Sequence, residues 1–139
     1  MLYSHRQAEP APLPHRIRFP DGSTRTDAST FTPEELELAG YTGPYERPKC
    51  DYKTETVDWD GTQFLVRPYS FNELQAQYAK VREQRIQLLQ ASDWTQISDY
   101  DLGLTSEARD AWAAYRQALR DLADAPNPFD LTWPQPPAP

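Results

Sequence analysis

The chain has 139 residues, and its 14 Lys and Arg side chains against 21 Asp and Glu side chains give a formal net charge of −7. This acidic balance argues against nucleic acid and an anionic membrane surface as partners, since both attract basic patches. No apolar run approaches the roughly 18 residues of a transmembrane helix, and the first residues lack the apolar core of a secretory signal. The single cysteine, Cys50, excludes an intramolecular disulfide and a cysteine-based zinc site. We therefore expect a soluble protein made in the cytosol.

The distribution of proline divides the chain. Eight prolines lie within residues 10–68, six lie within 126–139, and residues 69–125 contain none. Proline cannot continue a helix or donate to a strand ladder, so long helices belong in the proline-free block. The predicted fold class is α+β, with an N-terminal region of hairpins and a short helix followed by an αα-hairpin. The predicted parts are an extended arm (1–15), a small β- and turn-rich domain (16–68), a helical hairpin (69–125) and a Pro-rich tail (126–139).

Local signals predict a hairpin and a short helix at the front of the chain. Segments 16–19 and 24–26 flank a Pro-Asp-Gly-Ser turn, which favours a short strand pair. Thr32, Pro33 and Glu35 then have the spacing of a capping box with proline at the first helical position. A helix of about two turns is therefore expected to follow Thr32.

A second hairpin is predicted around Asp60-Gly61, a pair that strongly favours a tight two-residue turn. Such a turn would place Trp59 opposite Thr62. One face of the hairpin would then carry Val57, Trp59, Thr62, Phe64 and Val66, with Val57 opposite Phe64.

The proline-free block contains two amphipathic patterns. The first opens with a capping box at Ser70 and Glu73 and predicts a helix of roughly 20 residues. The second predicts a helix over residues 105–123. The linker between them is too apolar for a free loop, so we expect it to lie on the helices. Trp94 and Trp112 are predicted in the small core of this αα-hairpin.

Three arginines stand out in the helical patterns. Arg85 occupies a position where the heptad spacing of the first helix expects an apolar residue. Arg116 and Arg120 lie in the second half of the second helix. Because cations suit the negative end of a helix, we expect these two to stabilise the end of their own helix.

Residues that could support catalysis or ligand binding are sparse. The two histidines, His5 and His15, both lie in the proline-rich arm, so a Ser-His-Asp or Cys-His site is not expected. Cys50 has an acidic neighbour, which favours an incidental rather than a reactive thiol. The Asp58-Trp-Asp60-Gly61 stretch lacks the spacing of a calcium loop, and no glycine-rich phosphate loop is present. The sequence thus predicts no catalytic residue, no metal and no cofactor.

Aromatic residues exceed the needs of two small folded pieces, and Trp, Tyr and Arg are enriched at protein interfaces. The tail is typical of an extended polyproline-type strap that carries two aromatic anchors. The predicted partner-binding residues are Phe71, Leu74, Tyr78, Trp112, Tyr115, Phe129 and Trp133. For the helix residues among them, a place in the core of the hairpin is an equal alternative.

Particular stretches carry a resemblance to a known family. Residues 88–96 (Leu-Leu-Gln-Ala-Ser-Asp-Trp-Thr-Gln) and 104–122, which contain Trp-x-x-Tyr-Arg-Gln, resemble bacteriophage tail assembly chaperone-like proteins. Residues 18–44 are similar to the N-terminal region of the same group. The resemblance covers roughly residues 16–137. The chain departs from the family in the linker, where Gln-Ile-Ser-Asp at 96–99 replaces the family's usual Gln-Leu-Pro-Asp.

The resemblance implies a role in tail or tail-fibre assembly without enzymatic activity. The implied partner is a tail-fibre or baseplate polypeptide, with several copies per fibre as one arrangement. The implied protein is made in the cytoplasm of a bacterial host, either as a chaperone that leaves or as a component retained in the virion tail. A host-recognition module whose aromatics stack on glycans is the alternative, and a small hydrolase with paired carboxylates ranks third.

Overall fold

The computed structural model describes residues 1–97 and 103–138. The chain divides into two compact units, Met1–Pro68 and Tyr69–Pro139. Antiparallel strand pairs and one short helix form the first unit, and two long helices dominate the second. The predicted α+β class is therefore confirmed.

The first unit contains three two-stranded antiparallel sheets, which pair β1 with β4, β2 with β3, and β5 with β6. Its elements are β1 (Leu2–His5), β2 (Arg16–Arg18), β3 (Thr24–Thr26), a 3-10 turn (Ala28–Thr30), α1 (Pro33–Leu38), β4 (Tyr41–Tyr45), β5 (Glu55–Trp59) and β6 (Phe64–Pro68). The predicted first hairpin is confirmed, with Arg16 opposite Thr26. The capping box of α1 is also present, because Thr32 and Glu35 each accept a hydrogen bond from the other's backbone N–H.

The pairing of β1 with β4 lies outside the sequence predictions. Residues 2–5, expected in an arm without regular pairing, bond across to residues 41–45. At Gly43 the two strands approach closely, since a Cβ atom there would lie 3.0 Å from the Leu2 carbonyl oxygen. Glycine fits this contact and its φ of +135°. Strands that pair across nearly forty residues leave no local sequence signal, which is why this sheet was missed.

The register predicted for the second hairpin is wrong by two residues. Trp59 lies opposite Phe64 instead of Thr62, and the turn is centred on Gly61 and Thr62. The cause is the Asp60 side chain, which accepts hydrogen bonds from the backbone N–H groups of Thr62 (2.7 Å) and Gln63 (2.8 Å). The Asp60 N–H donates to the Gln63 carbonyl at 3.2 Å, so Asp60 closes the turn instead of lying within it.

The core of the first unit joins one strand to one helix. Ile17 of β2 is 1% exposed and packs with Leu36 and Ala39 at the end of α1. Aromatic and aliphatic side chains surround this cluster, namely Tyr3, Leu13, Phe19, Phe31 and Tyr41. An ion pair between Arg25 and Glu35 ties β3 to α1 as well.

The second unit is a helical hairpin. Its helices are α2 (Phe71–Ala91) and α3 (Ser106–Asp121), and 3-10 turns follow each of them at Asp93–Gln96 and Leu122–Asp124. The capping box predicted at Ser70 and Glu73 is confirmed. Side-chain contacts from Tyr78 to Ala125 and from Arg85 to Arg120 show that the helices run antiparallel.

The core of the second unit differs from the prediction. Val81, Tyr115 and Leu119 are buried. Trp94 was predicted in this core, but its side chain is 44% exposed and meets Trp112 only edge to face, at 5.5 Å between ring centroids. The expected path of the linker over the helices lies partly in residues 98–102, outside the described residues.

The Asp60 carboxyl makes the stability of the first unit depend on pH. Hydrogen bonds from the Thr62 hydroxyl and from the backbone N–H groups of Gln63 and Thr62 hold the pKa of Asp60 below its ordinary value of 3.8. A carboxyl with a lowered pKa in the folded state stabilises the fold above its unfolded pKa, and this contribution disappears as the pH falls through the folded pKa. In Asp60→Asn the amide oxygen still accepts hydrogen bonds but has no charge to protonate.

We therefore expect Asp60→Asn to lower the free energy of unfolding at neutral pH and to differ less from the parent chain well below pH 3.8. Urea unfolding followed by the indole N–H NMR signal of Trp59 reports on this unit. Glu46→Gln, at an exposed carboxyl after β4, serves as the charge-matched control. An equal difference at both pH values would refute the role of the Asp60 carboxylate.

Candidate partner-binding site

Arg116 of α3 ties the end of α2 in place. Its Nη1 donates to the Leu89 carbonyl oxygen at 2.7 Å and to the Ser92 hydroxyl at 2.6 Å, and its Nη2 donates to Asp93 Oδ1 at 2.8 Å. Arg116 is 8% exposed, and Ser92 is 2% exposed. The last carbonyls of a helix lack partners within it, and a buried guanidinium requires acceptors, so Nη1 and Nη2 find acceptors at the end of α2. Arg116 Nε is buried and has no hydrogen-bond partner among the described residues. We call these four residues the Arg116 clamp.

The clamp corrects the role expected of Arg116. It stabilises the end of the preceding helix and not the end of its own, because the antiparallel packing brings the middle of α3 against the last turn of α2. Trp94 and Trp112 meet beside it, and the Trp112 ring contacts Tyr115 edge to face at 5.7 Å. The Asp-Trp-Thr and Trp-x-x-Tyr-Arg motifs are therefore joined in space.

Arg85 explains the break in the apolar spacing of α2. Its Nη1 donates to the carbonyl oxygen of Arg120, in the last turn of α3, at 3.3 Å. A cation at this end of a helix interacts favourably with the helix dipole. The two arginines thus act reciprocally, since Arg116 reaches the end of α2 and Arg85 reaches the end of α3.

The Pro-rich tail packs on α2. The Tyr78 hydroxyl donates to the carbonyl oxygens of Ala125 (3.3 Å) and Pro126 (3.0 Å). Further along, the Phe129 ring stacks on Tyr69 with centroids 3.9 Å apart and planes within 6°. Along this stretch the tail therefore packs against the helical unit that precedes it. Polyproline-type backbone leaves its carbonyls unpaired, and Tyr78 supplies a donor for two of them.

The predicted partner-binding residues lie in different environments. Phe71 is 74% exposed, whereas Tyr115 is 7% exposed and belongs to the core. The other five, Leu74, Tyr78, Trp112, Phe129 and Trp133, are half-buried. Their role in partner binding stays a prediction, and Phe71 presents the most accessible ring among them.

Exposed apolar groups that the sequence predictions missed lie at the other end of α2. Trp94 and Ile97, in and just after the 3-10 turn, are 44% and 51% exposed. Ile86 on α2 is 39% exposed. Aromatic and aliphatic spacing had assigned Trp94 to the core and had left Ile97 in the linker.

Residues 1–97 and 103–138 contain no helix with the length and apolar character needed to span a bilayer. The same ranges contain no group of three or more His, Cys, Asp or Glu side chains arranged to hold a metal ion.

Residues 78–138 match the model of the phage tail assembly chaperone protein family. This part of the chain is similar to phage tail assembly chaperones. The resemblance seen in the sequence is thereby confirmed over the matched residues, and its N-terminal part, at residues 18–44, stays a prediction. No curated protein and no solved structure matches the chain.

The matched segment covers just under half of the chain. It begins at Tyr78, within α2, and takes in α3 and the tail. The Arg116 clamp and the contacts of Tyr78 with the tail therefore lie within the part that is similar to tail assembly chaperones. Phe71 and the whole first unit lie outside it.

We expect Arg116→Ala to lower the free energy of unfolding of the second unit by about 3 kcal/mol, because it leaves the Leu89 carbonyl and the buried Ser92 hydroxyl without their charged donor. Urea unfolding followed by far-UV circular dichroism measures the change. Arg109→Ala, at an exposed position of the same helix, is the matched control and is expected to change stability by less than about 0.5 kcal/mol.

Asp93→Asn separates the ion pair from the rest of the clamp. The Asp93 side chain is 63% exposed, so solvent screens the pair and its loss is expected to cost less than about 1 kcal/mol. A loss for Arg116→Ala as small as that for Arg109→Ala would show that the clamp does not hold α2 and α3 together.

Proposed function

We propose that the chain is a non-enzymatic phage tail protein that binds a tail-fibre or baseplate polypeptide. Within this proposal, an assembly chaperone that leaves and an accessory component retained in the virion are the two variants. The observation that carries the proposal is the match of residues 78–138 to tail assembly chaperones. The same match and the exposed apolar groups of the second unit support a protein partner from the phage tail.

The small buried fraction of α2 supports a binding role. With 21 residues it spans about 31 Å, yet Val81 is its single fully buried residue. In a soluble protein such a long helix ordinarily buries a continuous apolar stripe. Here α3 and the tail cover one side, and the exposed side carries Phe71 and Ile86. Exposed aromatic and aliphatic groups of this kind are typical contacts for a partner protein.

The seven predicted contact residues differ in how much of their side-chain surface is exposed and not already in contact within the fold. Phe71 is free to enter a pocket of a partner, and Trp133 is a second half-buried candidate in the tail. Tyr78 and Phe129 already serve the packing of the tail, and Tyr115 serves the core. We therefore assign direct contact to Phe71 and Trp133, and assign the other residues to shaping the surface that presents them.

The glycan-binding alternative draws less support from the structure. Trp59, a candidate platform for a sugar, is half-buried and meets Tyr45 and Phe64 edge to face at 4.9 and 5.1 Å. Its indole N–H donates to the Gln7 carbonyl oxygen at 2.9 Å. These contacts already use the ring and its polar atom within the fold, which favours a structural role for Trp59.

We expect Phe71→Ala to weaken binding to the tail-fibre or baseplate protein of the same phage by about tenfold or more, as for a central aromatic contact. Biolayer interferometry with purified partners gives the dissociation constants. Gln75→Ala, another exposed position of α2, is the matched control. Unchanged binding by Phe71→Ala and by Trp133→Ala, with binding by the parent chain intact, would overturn this assignment of contacts.

Quantitative mass spectrometry of purified virions separates the two variants of the proposal. A fixed copy number in integer ratio to a fibre trimer is expected of a retained component. Absence from virions, together with recovery in a complex with fibre or baseplate protein from lysates, is expected of a chaperone. Absence from both would overturn the proposed function.

A further inference from the structure

A cavity of about 600 Å³ in the first unit has a basic rim. His5 and Arg6, at and just after the end of β1, form one side, and Arg16 and Arg18 of β2 form another. All four side chains are exposed. Apolar and aromatic side chains complete the lining, and we call Phe19, Leu38 and Tyr41, of which Leu38 is 63% exposed, its apolar floor. We call this cavity the basic pocket.

The charges of the basic pocket are not neutralised within the described chain. Among residues 1–97 and 103–138, no carboxylate forms an ion pair with Arg6, Arg16 or Arg18. Other arginines of the first unit do have acidic partners, as Arg25 has Glu35 and Arg47 has Glu9. The chain has a net charge of −7, but the three unpaired guanidinium groups make the surroundings of this cavity positively charged.

Backbone geometry holds Arg6 at the rim. The turn from His5 to Ala8 places Arg6 and Gln7 at φ values of 52° and 68°, a left-handed conformation that ordinarily selects glycine or asparagine. The Arg6 N–H donates to the Gly40 carbonyl oxygen at 3.2 Å, and the Trp59 indole N–H donates to the Gln7 carbonyl oxygen. The fold therefore maintains an unfavourable backbone conformation where an arginine faces the cavity.

Arg16 and Arg18 lie on the face of β2 that points away from the core. β2 alternates, so the burial of Ile17 in the core directs Arg16 and Arg18 to the other side. At Gly40 a Cβ atom would lie 3.7 Å from His5 Nε2 and 3.8 Å from Arg6 Cγ. Glycine also suits the φ of +85° at this position.

The chemistry of the pocket selects among anionic ligands. Guanidinium groups bind carboxylates through paired hydrogen bonds, and the apolar floor suits an aromatic or aliphatic side chain beside them. A sugar would find few side-chain acceptors for its hydroxyls, because the lining contains no Asp, Glu, Asn or Gln. A nucleic acid carries a charge at every phosphate along its length, whereas Arg6, Arg16 and Arg18 surround one cavity and do not form an extended basic stripe.

We infer that the basic pocket binds an acidic segment of a partner polypeptide. Carboxylates of that segment lie on Arg6, Arg16 and Arg18, and a neighbouring aromatic or leucine side chain lies on the floor. The site belongs to the first unit and lies outside residues 78–138, so it is a second recognition surface that does not depend on the contacts proposed for Phe71.

Fluorescence anisotropy with the full chain tests this inference. The probe is a labelled peptide of sequence Gly-Asp-Glu-Phe-Asp-Leu-Glu-Gly, and the comparison peptide replaces each Asp by Asn and each Glu by Gln. We expect the acidic peptide to bind and the neutral peptide to bind at least tenfold more weakly. Raised salt is expected to weaken the acidic peptide further, since exposed charges are screened.

Two variants localise the binding. The double variant Arg6→Gln, Arg18→Gln is expected to weaken the acidic peptide by about a hundredfold, at roughly tenfold for each charged hydrogen-bond donor. Lys49→Gln, an exposed cation outside the pocket, is expected to leave it unchanged. Because both arginines are exposed, the double variant is expected to fold, and its far-UV circular dichroism checks this.

Specific outcomes overturn the inference. These are no binding of the acidic peptide, equal binding by the double variant, and equal binding of the two peptides. Displacement of the acidic peptide by dextran sulfate or by inorganic phosphate at equal charge concentration would show recognition of charge alone, and would contradict a peptide ligand. None of these results depends on Phe71, so they are distinguishable from failure of the proposed function.

Discussion

The hydrogen bonds from the buried guanidinium of Arg116 to the end of α2 are the interaction on which our account of the second unit rests. A helix cannot satisfy its own last carbonyls, and a buried arginine is costly unless acceptors surround it. In this chain Leu89, Ser92 and Asp93 supply acceptors for Nη1 and Nη2 of Arg116, while its Nε is buried without an acceptor among the described residues. The clamp fixes where α2 ends and which side of α3 meets it.

The residues that carry the family resemblance therefore serve the architecture of the hairpin. Asp93 and Arg116 form an ion pair, and Trp94 and Trp112 meet edge to face beside it. Under the proposed function, recognition of a partner then depends on exposed groups such as Phe71, which lies outside the matched segment. A match to the family thus indicates how this part of the chain folds more directly than it indicates what the surface binds.

The basic pocket stands out against an otherwise acidic chain. The chain as a whole is acidic, yet the described residues of the basic pocket leave three guanidinium groups unpaired. An acidic partner segment would be repelled by most of the surface and attracted to this one cavity. Long-range repulsion with local attraction favours selection of one docking position over many weak ones.

Signals that act within a few residues were readable from the sequence. The capping boxes at Thr32 and Ser70 and the turn between β2 and β3 depend on neighbouring side chains and backbone groups, and all three form as predicted. The same holds for the amphipathic spacing that identifies α2 and α3. The wrongly predicted register of the second hairpin also has a local cause. The Asp60 carboxylate accepts hydrogen bonds from the backbone N–H groups of Thr62 and Gln63, which a tight two-residue Asp-Gly turn would pair differently.

Tertiary structure alone decided the features that join distant residues. These are the pairing of β1 with β4, the reach of Arg116 to the end of α2, the packing of the tail on Tyr78, and the gathering of arginines around one cavity. Hydrogen bonds and burial between such groups depend on the relative placement of whole elements. A local pattern encodes which element forms, but the free energy of packing determines which of its side chains meet and which remain exposed.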